Sequence, residues 1–365
     1  MKYDYLIVGA GFAGSVIAER IASQLNKKVL VVEKRNHIGG NAFDEYDKHG
    51  ILVHKYGPHI FHTNSKKVFD YLSQFTKWRK YEHKVLAKLN DEYYPIPINR
   101  DTINKLYNKK FTTDKEVEDY YNKVKEKRNP ILNSEDVIVN KVGKDLFEKF
   151  FRNYTKKQWN LDPKKLSPAV CGRIPVRTNT DDRYFTDKYQ FMPKDGYTKL
   201  FENLLRHKNI TLLLGIDYKA ILDKYKYDKI IYTGPIDYFF DYKFGKLPYR
   251  SIRFEWKNYK KEYHQKVAVV NHVGDEKFTR VCEYKHLTRQ GQITTTLSYE
   301  YSIKDGDPFY PIPTNTSSKL YLMYKNEAKK LKNVIFCGRL AEYKYYNMDQ
   351  VIANSLKIFS KIISK

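Results

Sequence analysis

Leu6-Ile7-Val8-Gly9-Ala10-Gly11-Phe12-Ala13-Gly14 decides the fold. A short apolar run ends in a G-x-G-x-x-G, and the chain beyond it completes a unit. Ile17, Ile21 and Leu25 fall i, i+4, i+8 on one helical face, then residues 29–32 read as a second buried strand closed by Glu33. Each glycine has a physical job. Gly9 permits the tight turn, Gly11 lets backbone approach a pyrophosphate, and Gly14 lets helix and strand pack closely. The helix that starts near Phe12 and Ala13 offers that pyrophosphate unpaired N–H groups and a positive dipole end. Glu33 follows Gly14 by 19 residues, close to the spacing of a carboxylate that accepts ribose hydroxyls. A glycine turn in an ordinary α/β domain would explain the glycines but not the ordered set of strand, helix, strand and acid.

The next residues refine the cofactor. Lys34-Arg35-Asn36-His37-Ile38-Gly39-Gly40-Asn41 places a Gly-Gly pair shortly after the acid. That E-x5-G-G extension resembles the FAD-binding flavoproteins of the amine oxidase and glutathione reductase type more than simple NAD dehydrogenases. FAD is therefore the expected cofactor, with Lys34, Gly40 and Asn41 beside it.

At 365 residues the chain has room for two or three domains with a substantial core. No stretch of about 18 apolar residues occurs, so no membrane span is expected. Asp4 lies inside the first strand, which argues against a secretory signal. Cys171, Cys282 and Cys337 are far apart, which fits a reducing compartment and argues against a disulfide framework or zinc site. A cytoplasmic enzyme is expected. The net charge of +25 and 33 tyrosines raise the question of nucleic acid, because basic grooves with stacking aromatics bind single strands. The lysines, however, are spread along the whole length, and no nucleic-acid module is recognisable. Nucleic acid is not expected as a partner; a phosphate-bearing small substrate would gain from the same field.

Further along, residues 51–63 read as a strand that breaks into a Gly57-Pro58 turn between His54 and the pair His59 and His62. Metal binding is not expected there, since no carboxylate or cysteine stands at ligand spacing. Residues 103–151 carry helical periodicity, with Val117, Tyr120, Tyr121 and Val124 on one helix and Val139, Val142, Leu146 and Phe150 on another. Residues 158–197 are loop-rich. Residues 211–214 and 229–233 read as buried strands returning to a parallel sheet, and 250–301 alternate with period two as antiparallel strands do. A helix over 320–331, a strand over 334–337 ending in Gly338-Arg339, and a helix over 349–363 close the chain. The expected architecture is α/β. A Rossmann-like FAD-binding domain is assembled from 1–85, 195–245 and 318–365. A helical bundle is inserted over 86–155, and an antiparallel sheet domain with a mobile loop comes from 156–194 and 246–317.

Several blocks resemble the UDP-galactopyranose mutases, and they run through nearly the whole chain. They include His59-Ile60-Phe61-His62-Thr63, Tyr154-Thr155-Lys156-Lys157-Gln158-Trp159, Arg173-Ile174-Pro175-Val176-Arg177, Ile231-Tyr232-Thr233-Gly234-Pro235 and Gly338-Arg339-Leu340-Ala341-Glu342-Tyr343. The resemblance implies an FAD enzyme that interconverts UDP-galactopyranose and UDP-galactofuranose by ring contraction without net redox. Flavin reduced by NAD(P)H would attack the anomeric carbon through N5, forming a sugar adduct and displacing UDP. It also implies a homodimer and assigns residues. Arg173 and Arg280 match the diphosphate-clamping arginines, for which a guanidinium fork is suited. Tyr184, Tyr310 and Tyr345 match tyrosines on the diphosphate. Phe151 and Tyr154 match the uracil pocket, Asn271 a further substrate-binding position, and Trp159 lies on the closing loop. His59 and His62 match histidines beside the flavin. Gly338, Arg339, Asn347 and Met348 match the flavin wall, with Arg339 also near the substrate. The chain departs from the pattern at Asn347, where Asp is usual, and at Asn160, where Gly is usual. Two alternatives remain: an amine-oxidase-like FAD oxidoreductase, and a binding protein using the same scaffold.

Overall fold

In the computed structural model, which describes residues 2–364, the opening motif takes the expected form. β1 (Lys2–Val8) turns through Gly9 into α1 (Phe12–Leu25) and returns as β2 (Val29–Glu33). Two short pieces, β3 (Asp44–Tyr46) and β4 (Leu52–His54), pair antiparallel. β5 (Phe61–Thr63), α2 (Lys66–Leu72) and β6 (Trp78–Lys80) follow. A hairpin, β7 (Val85–Leu89) and β8 (Glu92–Ile96), precedes the helical segment. That segment holds α3 (Arg100–Tyr107), α4 (Asp114–Val124), α5 (Ser134–Phe147), a π turn over Glu148–Arg152 and α6 (Asn153–Trp159). Caps explain the starts: the Asn99, Thr113 and Asn133 side chains each accept from a first-turn N–H. α5 is not straight. Gly143 sits at φ +81°, and a Cβ there would meet the Val124 carbonyl oxygen at 2.3 Å, so only glycine allows the bend against α4.

The chain then passes α7 (Ala169–Gly172), β9 (Tyr189–Pro193), α8 (Gly196–Leu204), β10 (Ile210–Leu214), β11 (Lys226–Tyr232) and α9 (Ile236–Phe239). β12 (Tyr249–Tyr259), β13 (Val269–His272), β14 (Arg280–Glu283), α10 (Tyr284–Thr288), β15 (Thr295–Ile303) and β16 (Tyr310–Pro311) come next. α11 (Asn315–Ala328), β17 (Val334–Phe336) and α12 (Met348–Ile363) complete it.

Five strands form a parallel sheet in the order β10-β2-β1-β11-β17. Tyr5, Ile7, Val29 and Val31 point to the face covered by α1 and α12, while Leu6, Val8, Leu30 and Val32 pack toward Tyr218 and Ile221 on the other. Burial on both faces explains why these strands read as continuous apolar runs. Each such side chain contributes about 1.5–3 kcal/mol when fully buried. The second large sheet has seven strands, β16-β12-β15-β14-β13-β7-β8. It is antiparallel except where β13 runs parallel to β7. Its two margins, β16 and β8, contain Pro311 and Pro95.

Two expected boundaries change. β7 and β8 fall largely within the span expected for the helical insertion, yet they complete the seven-stranded sheet. Within the segment expected to join that sheet, β9 instead sits between β5 and β6 in a separate three-stranded sheet.

Candidate active site

The carboxyl ends of β1, β2, β11 and β17 open onto one cleft of about 720 Å3. In open α/β sheets this is where nucleotides bind. Gly9 stands at φ +104°, and a Cβ there would lie 2.1 Å from Thr233 Oγ1, whose hydroxyl donates to the Val8 carbonyl at 2.7 Å. Gly14 lies under the cleft, where a Cβ would fall 1.9 Å from the Gly9 oxygen. Gly11 faces Gly40 with ordinary spacing, 3.6 Å from an added Cβ to the Gly40 Cα. Two Cβ-free residues thus let the turn before α1 and the Gly39-Gly40 turn pack backbone to backbone on the cleft wall beside the α1 N-terminus. Glu33 accepts the Ala10 and Arg35 N–H groups at 3.0 and 2.9 Å, which pins the β2 end to the glycine turn while the carboxylate still lines the cleft.

Of the expected cofactor residues, Gly9, Gly11, Phe12, Ala13, Glu33 and Lys34 line this cleft, as do Gly40, Asn41, His59, Gly338, Arg339 and Met348. Gly14 and Asn347 are not on its wall. Asn347 caps α12, its N–H donating to Gln350 Oε1 at 2.9 Å, and Asp and Asn are near-equal caps, so this departure leaves the helix start intact. Asn160 caps α6 in the left-handed region at φ +53°, the conformation in which Asn is the usual substitute for Gly. Sequence reasoning did not single out Ile216, Asp217 and Tyr218, the loop after β10 that forms another wall.

A second cluster adjoins the first through Arg339. Its guanidinium lies 5.2 Å from the Tyr345 ring and 5.5 Å from the Tyr310 ring, which stack on each other at 5.3 Å and 22°. Arg173 lies 4.3 Å over Tyr345. Burial pushes the Tyr345 phenol up, but Arg173, Arg339 and Arg280 outweigh it and hold its pKa below the usual tyrosine range. Burial works against the charged Arg173, and Tyr345, Tyr184 and Tyr310 more than offset it. Arg280 on β14 donates from Nε to Glu300 Oε2 of β15 at 2.6 Å. Glu300 is 1% exposed, and its Oε1 has no partner. Burial opposes the Arg280 charge, yet Glu300, Tyr310 and Tyr154 hold its pKa well above the ordinary value. Tyr154 reaches Asn271 Oδ1 at 3.4 Å. Trp159 is 3% exposed and packs 6.3 and 6.4 Å from the Tyr310 and Tyr345 rings, so the expected loop residue is a buried anchor at the end of α6. Phe151 is a core side chain on the π turn.

The two histidines part company. His59 lines the cleft, and its Nδ1–H donates to the Gly57 carbonyl at 2.8 Å, which leaves Nε2 as an acceptor. His62 does not line the cleft; it bonds Asp187 at 2.9 Å and stacks on Phe185 at 3.6 Å. His59 precedes β5, while His62 lies within it, opposite Gln190 of β9.

Burial holds His54, His59 and His83 at about 3, so all three are neutral in the fold at working pH. Their unfolded forms take protons below about 6.5, so stability is intact above that pH and falls as pH drops toward 3. Each contributes a slope approaching about 1.4 kcal/mol per pH unit. The urea midpoint of the flavin-loaded protein should therefore be lower at pH 5 than at pH 7.5, and His83→Asn should remove its share of that slope. An unchanged slope in the variant would show that His83 protonates freely.

Among the described residues no group of three or more His, Cys, Asp or Glu could hold a metal ion. The donor set instead fits a dinucleotide joined to an anion: a glycine-lined wall at a helix N-terminus, a ribose-type carboxylate, and Arg339 with an unpartnered buried Nε between cleft and cluster. Fold and site together define a nucleotide-binding α/β protein of the flavoprotein kind.

Comparison with known proteins narrows the class. The pattern of UDP-galactopyranose mutases matches residues 149–345, and that of NAD(P)-binding Rossmann-like domains matches 7–75. A dTDP-fucopyranose mutase of Escherichia coli is 37% identical, with 96% of each chain covered. A probable UDP-galactopyranose mutase of Klebsiella pneumoniae is 37% identical over 99% of this chain and 95% of its own. A crystal structure of reduced UDP-galactopyranose mutase superposes with a TM-score of 0.81 at 16% identity, covering 100% of this chain and 94% of the other. The chain belongs to the UDP-galactopyranose mutase family, whose members are flavin-dependent isomerases. Putrescine oxidase shares the fold at a TM-score of 0.60 and 12% identity. No described helix is long and apolar enough to cross a membrane.

Proposed function

We propose that this protein interconverts UDP-galactopyranose and UDP-galactofuranose with reduced FAD and no net redox. The observation that carries the reading is the shared wall: Arg339 borders both the glycine-lined cleft and the chamber of Arg173, Tyr310 and Tyr345. A reaction that joins flavin to sugar while UDP waits nearby needs that adjacency. FAD would be held by Gly9, Gly11, Glu33, Gly40 and the α1 N-terminus, and when reduced it supplies the nucleophile for the anomeric carbon.

The protein's own groups do the rest. Arg173 and Arg280 would grip the pyrophosphate before and after the C–O bond breaks, when its charge is greatest. Tyr184, Tyr310 and Tyr345 would donate to its oxygens, and Tyr154 with Asn271 would flank the base. Neutral His59 would present an acceptor nitrogen to the flavin side. Trp159, Tyr310 and Tyr345 would exclude water from the chamber. NAD(P)H as reductant, a homodimer and a cytoplasmic setting come with the family resemblance.

The Escherichia coli relative supports a second reading, the same ring contraction on a dTDP-linked 6-deoxy sugar. Turnover of UDP-galactofuranose and dTDP-fucofuranose, each with oxidised and dithionite-reduced enzyme, separates the possibilities. The expected result is turnover of the UDP sugar by reduced enzyme alone. Preference for the dTDP sugar would select the second reading, and equal turnover by oxidised enzyme would overturn both.

A further inference from the structure

We propose that Lys157 is a positioning residue of the nucleotide subsite, an ammonium that ties the β13–β14 hairpin to α6. It would thereby set where Asn271 and Arg280 stand relative to Tyr154 and Trp159. The inference rests on the functional reading above, in which those four residues meet the nucleotide.

Lys157 Nζ donates to the carbonyls of His272, Gly274, Glu276 and Phe278 at 2.7, 2.9, 3.0 and 3.3 Å. Every second carbonyl of the hairpin turn thus points at one cation. An ammonium has three protons, so two of the acceptors share one. A compact point charge suits this convergence, whereas a planar guanidinium would not.

The hairpin so held has residues of the site at both its ends. Asn271 and Arg280 face each other in register on β13 and β14, and the turn between them is the segment that Lys157 gathers. The turn is also braced within itself: His272 Nδ1 lies 3.0 Å from Glu276 Oε1, and the Phe278 ring meets the His272 ring edge-on at 4.6 Å. A preformed turn can transmit a displacement to its ends. On the other side, Lys157 shares α6 with Tyr154 one turn before it and Trp159 two residues after it. Tyr154 also contacts Asn271 at the long distance of 3.4 Å, and the Gln158 carbonyl of α6 accepts from Arg250 and Ser302 on other strands of the sheet. The Lys157 charge is used on backbone, and no ion pair to it occurs among the described residues. A lysine needed only for solubility would point to water, and one needed only for packing would be replaceable by an apolar chain.

Lys157→Met keeps the length and removes all three donors; Lys157→Gln keeps two donors on a shorter arm. Flavin content, UDP affinity, KM, kcat and hydrogen exchange over 272–279 are measured on each. If Lys157 positions the subsite, Lys157→Met holds its flavin while UDP Kd and KM rise on the order of 10- to 100-fold, as small misplacements of binding groups do. kcat then changes little by comparison, Lys157→Gln is intermediate, and the effect on UDP Kd is non-additive with that of Asn271→Ala. UDP affinity within twofold of wild type, or strict additivity with Asn271→Ala, would overturn the proposal even if exchange over the hairpin speeds up. Should Lys157→Met fail to fold, the same readings on Lys157→Gln decide. Wild-type enzyme that does not bind UDP would overturn the functional reading instead.

Discussion

Arg280→Ala should leave a yellow protein that has lost about 30- to several-thousand-fold of its kcat/KM. Truncating one member of a buried charged contact costs about 2–5 kcal/mol, and each 1.36 kcal/mol is tenfold in rate. Arg280 stands at the upper end because it serves two partners. Toward the ligand it would carry the pyrophosphate charge that grows as the sugar departs. Toward the protein it neutralises Glu300, which is buried and has one oxygen already unpaired. Burial raises the Glu300 pKa and Arg280 lowers it, so removing the arginine drives the carboxyl further up. Breaking a buried pair by deleting one partner costs about 3–5 kcal/mol in stability, so a lower urea midpoint should accompany the lost rate. The paired substitution Arg280→Met with Glu300→Leu separates the effects, because it should recover stability without recovering turnover. Arg280→Lys should rescue only in part, since it offers a point charge rather than a fork. Arg173→Ala should lose rate without the stability loss, as its guanidinium lies over a ring and not against a buried acid. Near-normal turnover in Arg280→Ala would remove that residue from the site.

The glycines should separate cleanly between folding and binding. At Gly14 a new Cβ would sit 1.9 Å from the Gly9 oxygen and 3.1 Å from Ile7 Cγ2, both fixed by the central strand. α1 would have to leave β1, and overpacking of a rigid contact costs about 3 kcal/mol or more. Gly14→Val should yield little soluble protein. At Gly11 the first added atom meets only ordinary contact, so Gly11→Val should fold, yet its methyl groups would crowd Gly40 and the cleft wall at the α1 N-terminus. It should be colourless, and its melting temperature should no longer rise with added FAD, because ligand binding stabilises only a fold that accepts it. Absorbance near the flavin band and thermal melts on both variants check this. A yellow Gly11→Val would mean that the pyrophosphate lies elsewhere.

The nucleotide-binding sheet was legible in the sequence because its signals are local. Glycines, apolar runs and helical periodicity all lie within a few tens of residues, and β10, β11, β17 and α12 were read from the same cues. The site's aromatic and arginine residues became legible through blocks of family resemblance, and Arg173, Tyr310, Arg339 and Tyr345 lie together in the structure. What escaped is set by pairing across long sequence separation. β7 joins β13 through Val85–Val269 and Leu86–Val270, a register nothing near residue 85 announces. Pro95 fits in β8 because that strand lies at a margin, where a missing N–H costs no ladder bond. Glu300 escaped for the same reason, since only strand register sets it beside Arg280. Lys157 stands in one of the family blocks, but only the folded hairpin places four carbonyls around its ammonium.

The prolines at the two margins of the seven-stranded sheet have a colloidal consequence. A sheet of that width ending in two open edges is a template for another chain to add to, and growth of that kind leads to fibres. Pro311 in a two-residue strand and Pro95 near the end of β8 each remove a donor that an incoming strand would need. Strand addition is hindered at β16 and at β8, while the rest of β12 beyond Arg250 has no strand on its outer side.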